Sequence, residues 1–241
     1  MDSFAANLPT VITLLSDIAL GGFLLEILRR AGWSGRRRFM VAGLLLAWLV
    51  ALVWRVTTHS FLPNDISSLA FFALLMGSVV AASGALLLAP LRQALMATPH
   101  ELLLLPQGLR AFLGAGFLVA TSLQQMPTGF GIADGLTHIT AAFLALKAGL
   151  VWGRGEGCAG SVCFANLFGL LDIVMVAAGL SFVMLHDLTP NHSIMLAAFF
   201  AAPIFVCLHL ISLLKLYRER EQCVSRSGNN IHSESSLAAR P

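Results

Sequence analysis

Apolar residues fill most of this chain in long runs that short polar segments separate. A run of about 20 apolar residues can cross a hydrocarbon core of about 30 Å as an α-helix. We predict seven such membrane-spanning helices. They cover approximately residues 8–28, 39–59, 69–88, 111–124, 131–152, 164–186 and 194–216. Before the fourth run lies HELLLLPQ, which either rests at the membrane interface or extends that helix.

Composition supports the same fold class. Of the 241 residues, 57% are hydrophobic and only 11% are charged, whereas soluble domains carry about 25% charged residues. We therefore predict an all-α, polytopic transmembrane helix bundle over residues 1–221, with a disordered cytoplasmic tail over 222–241. The net charge of +3 comes from basic residues in loops, so it does not indicate a nucleic-acid partner.

The basic residues of the loops predict an orientation. They follow the first, third and fifth runs or lie at the end of the seventh, and they are Arg29, Arg30, Arg36, Arg37, Arg38, Arg92, Arg110, Arg154, Lys215, Arg218 and Arg220. The opposite loops, SFLPNDISS, QQMPTGF and DLTPNH, contain no lysine or arginine. Because basic loops stay in the cytoplasm, the amino terminus is predicted outside and the carboxyl terminus inside.

A carboxylate and an imidazole lie one helical turn apart in the fifth run. Asp134 and His138 share a helix face at this spacing, and Thr137 is adjacent to His138. Ionisable groups within a membrane cost several kcal/mol unless they are paired or hydrated. The pair can act as a proton relay or as two metal ligands, or it can simply hold two helices together.

Arg55 is the arginine that the prediction places well inside a run. It shares the outer third of the membrane with Asp134 and lies one or two turns above Asp17. We expect a salt bridge from Arg55 to one of these carboxylates, because an unpaired charge at that depth is costly. The alternative is that its long side chain reaches outward to the lipid headgroups.

Three further polar residues lie deep in the last two runs. Asp172 falls near the midplane, where it must be protonated, paired or beside a water-filled cavity. Asn166 lies six residues earlier and need not act with it. His209 follows the helix-kinking Pro203, and such a histidine is most often a hydrogen bond between helices.

The second half of the chain resembles an uncharacterised family of bacterial multi-spanning membrane proteins. The resemblance lies in GFGIADGLTHITAAFLAL (129–146), NLFGLLDIVMVAAG (166–179) and APIFVCLHLISLLKL (202–216). The family pattern leads us to expect Gly-x-Gly-Asp in the first segment, where this chain has Ala133 in place of the second glycine. The resemblance adds weight to Asp134, Asn166, Asp172 and His209, and it implies a bacterial inner (cytoplasmic) membrane, but it names no reaction.

Three functional hypotheses fit these residues. The first is a transporter of a small molecule or linked to protons, because carboxylates and a histidine can carry protons. The second is a metal-dependent membrane enzyme with Asp134, His138 and either His209 or Asp172 as ligands, although their depths do not converge readily. The third is a structural or accessory subunit with a membrane-protein partner or a second copy. A haem carrier that uses His59 and His138 is a variant of it.

Overall fold

The predicted all-helical bundle is confirmed by a computed structural model. The structure describes residues 3–63, 65–185, 192 and 194–238, with side chains described from residue 7 to residue 220 of these ranges. The chain is 86% helical, and the described residues contain no strand.

Ten α-helices follow one another along the described chain. They are α1 (Ser3–Arg30), α2 (Gly35–Thr57), α3 (Ser68–Gly84), α4 (Ala89–Ala97), α5 (His100–Leu104), α6 (Arg110–Ser122), α7 (Thr128–Gly153), α8 (Ala159–Gly179), α9 (Ile194–Leu196) and α10 (Ala202–Ala238). A 3₁₀ turn over Leu105–Leu109 joins α5 to α6. π-helical turns extend α8 over Leu180–Met184 and join α9 to α10 over Ala197–Ala201.

Seven helical segments of the described chain are long and apolar enough to cross a membrane. They are Asn7–Arg30, Gly35–Thr57, Ser68–Leu87, His100–Ser122, Thr128–Gly153, Ala159–Met184 and Ile194–Arg220. This agrees with the predicted number and with most predicted bounds. The fourth segment starts at His100, so HELLLLPQ extends the helix rather than lying at the interface. Arg110, which we counted as a loop residue, consequently falls inside a span.

The seventh span forms the centre of the bundle. Within its most apolar stretch 72% of the residues are buried inside the protein, compared with 11% for the third span. The outer surface is apolar: Phe39 is 80% exposed and Leu87 is 79% exposed. Such a surface suits lipid rather than water, so the fold is compatible with a membrane protein.

Two glycines bring α6 and α7 into close contact. A Cβ atom added at Gly135 would lie 2.8 Å from Leu118 Cγ and 2.9 Å from the carbonyl oxygen of Gly114. Small residues at such a crossing allow the backbones of membrane helices to approach. Because Gly135 faces α6, its neighbours Asp134 and His138 also turn toward the interior, where both are buried.

One end of the bundle, here called the basic end, carries the arginines at the end of α1 and the start of α2. Its assignment to the cytoplasm stays a prediction, as does the division of the chain at residue 221. The structure assigns helical backbone to α10 as far as Ala238, and the disorder predicted for residues 222–241 likewise stays a prediction.

Candidate functional site

Four ionisable side chains from three helices meet in the middle of the bundle. Arg110 of α6, Asp134 and His138 of α7 and Asp172 of α8 form what we call the ionisable cluster. Their exposed fractions are 1%, 5%, 7% and 5%. Arg110 Nη2 donates a hydrogen bond to Asp172 Oδ2. His138 Nδ1 lies 3.0 Å from Asp172 Oδ2 and 3.3 Å from Asp134 Oδ1, so one imidazole nitrogen faces both carboxylates.

The helical spacing of Asp134 and His138 accounts for half of the cluster. At four residues apart they contact each other, as the sequence predicts. Thr137 donates from Oγ1 to the carbonyl oxygen of Asp134 at 3.1 Å. Although Asp134 is buried, no described residue donates a well-directed hydrogen bond to either of its carboxylate oxygens. Asp134 therefore has unused capacity to accept a hydrogen bond or to pair with a cation.

The charges of the cluster do not balance when both carboxylates are ionised. Asp134 and Asp172 then carry two negative charges, and Arg110 supplies one permanent positive charge. A proton on His138 or on a carboxyl group supplies the second positive charge. A cation that enters from outside can supply it instead. With both carboxylates ionised, the cluster thus has a place for one positive charge in addition to that of Arg110.

A cavity of about 330 Å³ opens onto the cluster between α7 and α8. The polar side chains in its wall are Asp134, Thr137 and Asp172. The rest of its wall is apolar and consists of Phe130, Ala133, Phe168, Leu171, Met175, Val176 and Gly179. Its volume is at the lower end of the range for small-molecule sites in proteins, about 300–1,000 Å³.

A string of hydrogen bonds leads from the cluster to the basic end. We call its five members, His209, Asn166, Ser212, His100 and Glu219, the polar string. The joined atoms are Arg110 Nη1 and His209 Nε2 (3.3 Å), His209 Nδ1 and Asn166 Oδ1 (2.9 Å), Asn166 Nδ2 and Ser212 Oγ (3.0 Å), Ser212 Oγ and His100 Nδ1 (3.4 Å), and His100 Nε2 and Glu219 Oε2 (3.1 Å).

The chemistry of Arg110 fixes the direction of the whole string. A guanidinium group can only donate, so His209 Nε2 accepts and the ring carries its hydrogen on Nδ1. That hydrogen goes to Asn166 Oδ1, and the Asn166 amide then donates to Ser212. The Ser212 hydroxyl is left to donate to His100, whose other nitrogen donates to Glu219. Every donor therefore points from the cluster toward the partly exposed carboxylate of Glu219.

Two fully buried serines provide a test of the string. Ser212 joins Asn166 to His100, whereas Ser181 donates only within its own helix, to the carbonyl oxygen of Ala177. Ser212→Ala is expected to lower the free energy of unfolding by about 1 kcal/mol, because an interhelical hydrogen bond is lost. Ser181→Ala is the matched control, with a smaller expected effect. Unfolding by SDS titration measures both, and equal effects would contradict the string.

Asp17 and Arg55 lie outside the cluster. The guanidinium of Arg55 is exposed near the end of α2, and its Nη1 donates to the carbonyl oxygen of Ser60 at 3.3 Å. The predicted salt bridge to Asp17 or Asp134 is therefore wrong, because the long side chain reaches outward instead. Asp17 is fully buried, and neither carboxylate oxygen has a hydrogen-bond partner among the described residues.

Asn166 and His209, which the sequence also singled out, belong to the polar string. Asn166 and His209 are joined in the string, which confirms the predicted hydrogen bond between helices at His209. Asn166 and Asp172 lie on either side of Gly169, whose carbonyl oxygen accepts from Arg110 Nη1 at 3.0 Å. The two residues thus belong to one network, through Arg110 and His209, although their spacing gave no reason to join them.

Sequence reasoning missed Arg110 and His100. Arg110 was counted among the loop residues and His100 was not singled out, yet both are buried. The apolar segment HELLLLPQ between them was the available signal, because it can carry the fourth helix back to His100. Had the helix been extended, Arg110 would have been the most costly residue of that span and a candidate partner for Asp172.

A metal site is the alternative use of the cluster. One ligand atom each from Asp134, His138 and Asp172 lie within 4.8 Å of one another. His209, the other predicted ligand, lies on the far side of Arg110 and faces its guanidinium. Arg110 already donates to Asp172, so a dication bound there would meet a fixed positive charge. For the haem variant, His59 is exposed beyond the end of α2.

The chain belongs to the family described as Domain of unknown function (DUF8737), whose model matches residues 66–217. This confirms the predicted membership in an uncharacterised family, and it names no activity. The match contains the whole ionisable cluster together with Asn166 and His209, whereas Asp17, Arg55 and Glu219 lie outside it. No curated protein and no solved structure matches the chain.

Proposed function

We propose that this member of the family is a proton-linked transporter of a small solute, embedded in a bacterial inner membrane. The observation that carries the proposal is the buried ionisable cluster, which opens onto a cavity large enough for a small molecule. Ionisable residues inside a membrane bundle are rare and costly, and they are the residues that line substrate or proton pathways. The lipid bilayer is the constant partner, and a second copy or another membrane protein remains compatible with the apolar surface.

Arg110 couples the protonation state of the cluster to the contact between α6 and α8. It keeps its own proton throughout, so it does not relay protons. It instead ties three helices together, because it donates to Asp172 and Gly169 of α8 and to His209 of α10 while belonging to α6. A proton added to Asp172 removes the negative partner of Arg110. The tie between α6 and α8 then weakens, and the helices that flank the cavity can shift.

The polar string extends this coupling to the basic end. While Arg110 donates to His209 Nε2, that nitrogen cannot accept a proton. Movement of Arg110 away from the ring frees the nitrogen and removes the donor that sets the direction of the string. The protonation state of the cluster is thus coupled to the hydrogen bonds at the basic end. Transport requires such coupling, because binding on one side must change access on the other.

Proton binding by the cluster is the first property to measure. In proteoliposomes on a solid-supported membrane, a pH jump is expected to produce a transient charge displacement as the cluster takes up or releases its proton. Asp134→Asn and His138→Gln are expected to lose most of this signal, because each removes a proton-binding group from the cluster.

Glu26→Gln is the matched control. Glu26 is a partly exposed carboxylate that pairs with Arg29 and Arg30 near the basic end, far along the chain from the cluster. Its loss should leave the charge displacement intact. If Asp134→Asn and His138→Gln leave the signal undiminished and only lower the thermal stability, the transporter hypothesis is wrong and the accessory-subunit hypothesis takes its place.

A further inference from the structure

We infer that the cavity between α7 and α8 binds a small monovalent organic cation with an apolar body, in competition with the proton of the ionisable cluster. This names the substrate class of the transporter proposed above, and in that sense it rests on the proposed function. The binding itself is measurable without transport.

Asp134 supplies the anionic half of this site. It lies in the wall of the cavity, and only 5% of it is exposed. Neither of its carboxylate oxygens accepts a well-directed hydrogen bond from a described residue. Asp172 also lines the cavity, but its Oδ2 already accepts a hydrogen bond from Arg110. Asp134 is consequently the acceptor that an incoming ammonium group would meet.

The remaining wall favours an apolar body attached to that charge. Phe130 and Phe168 offer aromatic rings, whose faces attract cations. Phe130 packs against Gly179, since a Cβ atom there would lie 2.6 Å from the Phe130 ring. At the outer margin Leu171 and Met175 are 60% and 64% exposed on the lipid-facing surface. An amphipathic cation that partitions into the bilayer can therefore reach the cavity from the side.

Because of its charge balance, the site holds either the organic cation or the proton, but not both. The ionisable groups that face the cavity or support it are Asp134 and His138 of α7, Asp172 of α8, Arg110 of α6 and, behind Arg110, His209 of α10. With Arg110 as the one permanent cation among them, the two carboxylates accommodate one more positive charge. A bound organic cation takes that place, and the proton is released.

Benzyltrimethylammonium is a suitable probe, because neopentylbenzene has the same shape without the charge. Calorimetric titration of the full-length protein in detergent is expected to show binding of the cation and not of the neutral isostere. Binding should release a proton, seen as an enthalpy that differs between phosphate and Tris buffers. As the pH is raised, the dissociation constant should fall by up to about tenfold per pH unit over the range in which the cluster is protonated.

Variants locate the site. Asp134→Asn should weaken binding of benzyltrimethylammonium by more than about tenfold, because the Asp134 carboxylate is its principal partner. Phe168→Leu should weaken it as well, whereas Glu26→Gln should leave it unchanged. Equal binding of neopentylbenzene, binding without proton release, or stoichiometric binding of zinc chloride that blocks the probe would each overturn the inference.

The outcome is separable from that of the proposed function. Proton-coupled binding of the probe, with no proton-driven uptake of the probe into proteoliposomes, supports the inference and counts against transport. Charge displacement that Asp134→Asn removes, with no binding of the probe at any pH, supports proton linkage and overturns the inference about the cation.

Discussion

Arg110→Gln is expected to lower the free energy of unfolding by about 3–5 kcal/mol, the largest effect of any substitution considered for this protein. The change leaves the Asp172 carboxylate buried without its cation, and a broken buried ion pair has a cost of this size. It also removes the donors to Gly169 and His209. SDS titration followed by tryptophan fluorescence measures the change.

A double substitution separates the ion pair from simple packing. Asp172→Asn removes the negative charge that Arg110 would leave behind, so Arg110→Gln combined with Asp172→Asn should be less destabilised than the sum of the two single variants. Neighbours in one network typically couple by about 0.5–3 kcal/mol. Arg55→Gln is the control arginine, since its guanidinium is exposed, and it should change stability by less than about 0.5 kcal/mol. An effect of Arg110→Gln as small as that of the control would contradict this account.

The sequence revealed the helices more fully than it revealed their contacts. Seven apolar runs were sufficient to predict seven spans, because the hydrocarbon thickness of a membrane limits helix length. The pairing of Asp134 with His138 was equally accessible, since it depends only on the rise of one helix. Gly135, next to Asp134, allows a close helix contact, but the sequence does not show which helix makes it.

Arg110 shows why the rest of the site was out of reach. Arg110 lies directly before the apolar run 111–124 and was therefore counted with a loop, and Pro106 lies in the 3₁₀ turn Leu105–Leu109 that separates α5 from α6. Its partner Asp172 is 62 residues away in the chain. Contacts over such distances depend on which helices are neighbours, and neither hydropathy nor residue spacing determines that choice.

Gly169→Ala is expected to lower the free energy of unfolding by about 3 kcal/mol, the upper end of the usual cost of overpacking. A Cβ atom at Gly169 would collide with the imidazole of His209 and would lie 2.9 Å from Arg110 Nη1. Neither neighbour is the free end of a mobile side chain, because Arg110 is tied to Asp172 and His209 is tied to Asn166. One methyl group therefore disturbs the junction of cluster and string without removing any ionisable group.

Gly77→Ala provides the matched control for this substitution. Gly77 lies in α3, and a Cβ atom there would have nothing within 4 Å, so alanine should be neutral or slightly stabilising. The pH-jump signal distinguishes a junction from a mere packing site. Gly169→Ala should alter the charge displacement in protein that remains folded at low temperature, because the shifted Arg110 no longer holds Asp172 and His209 together. Normal stability and a normal signal in Gly169→Ala would show that the contact between Arg110 and His209 does not connect the cluster to the basic end.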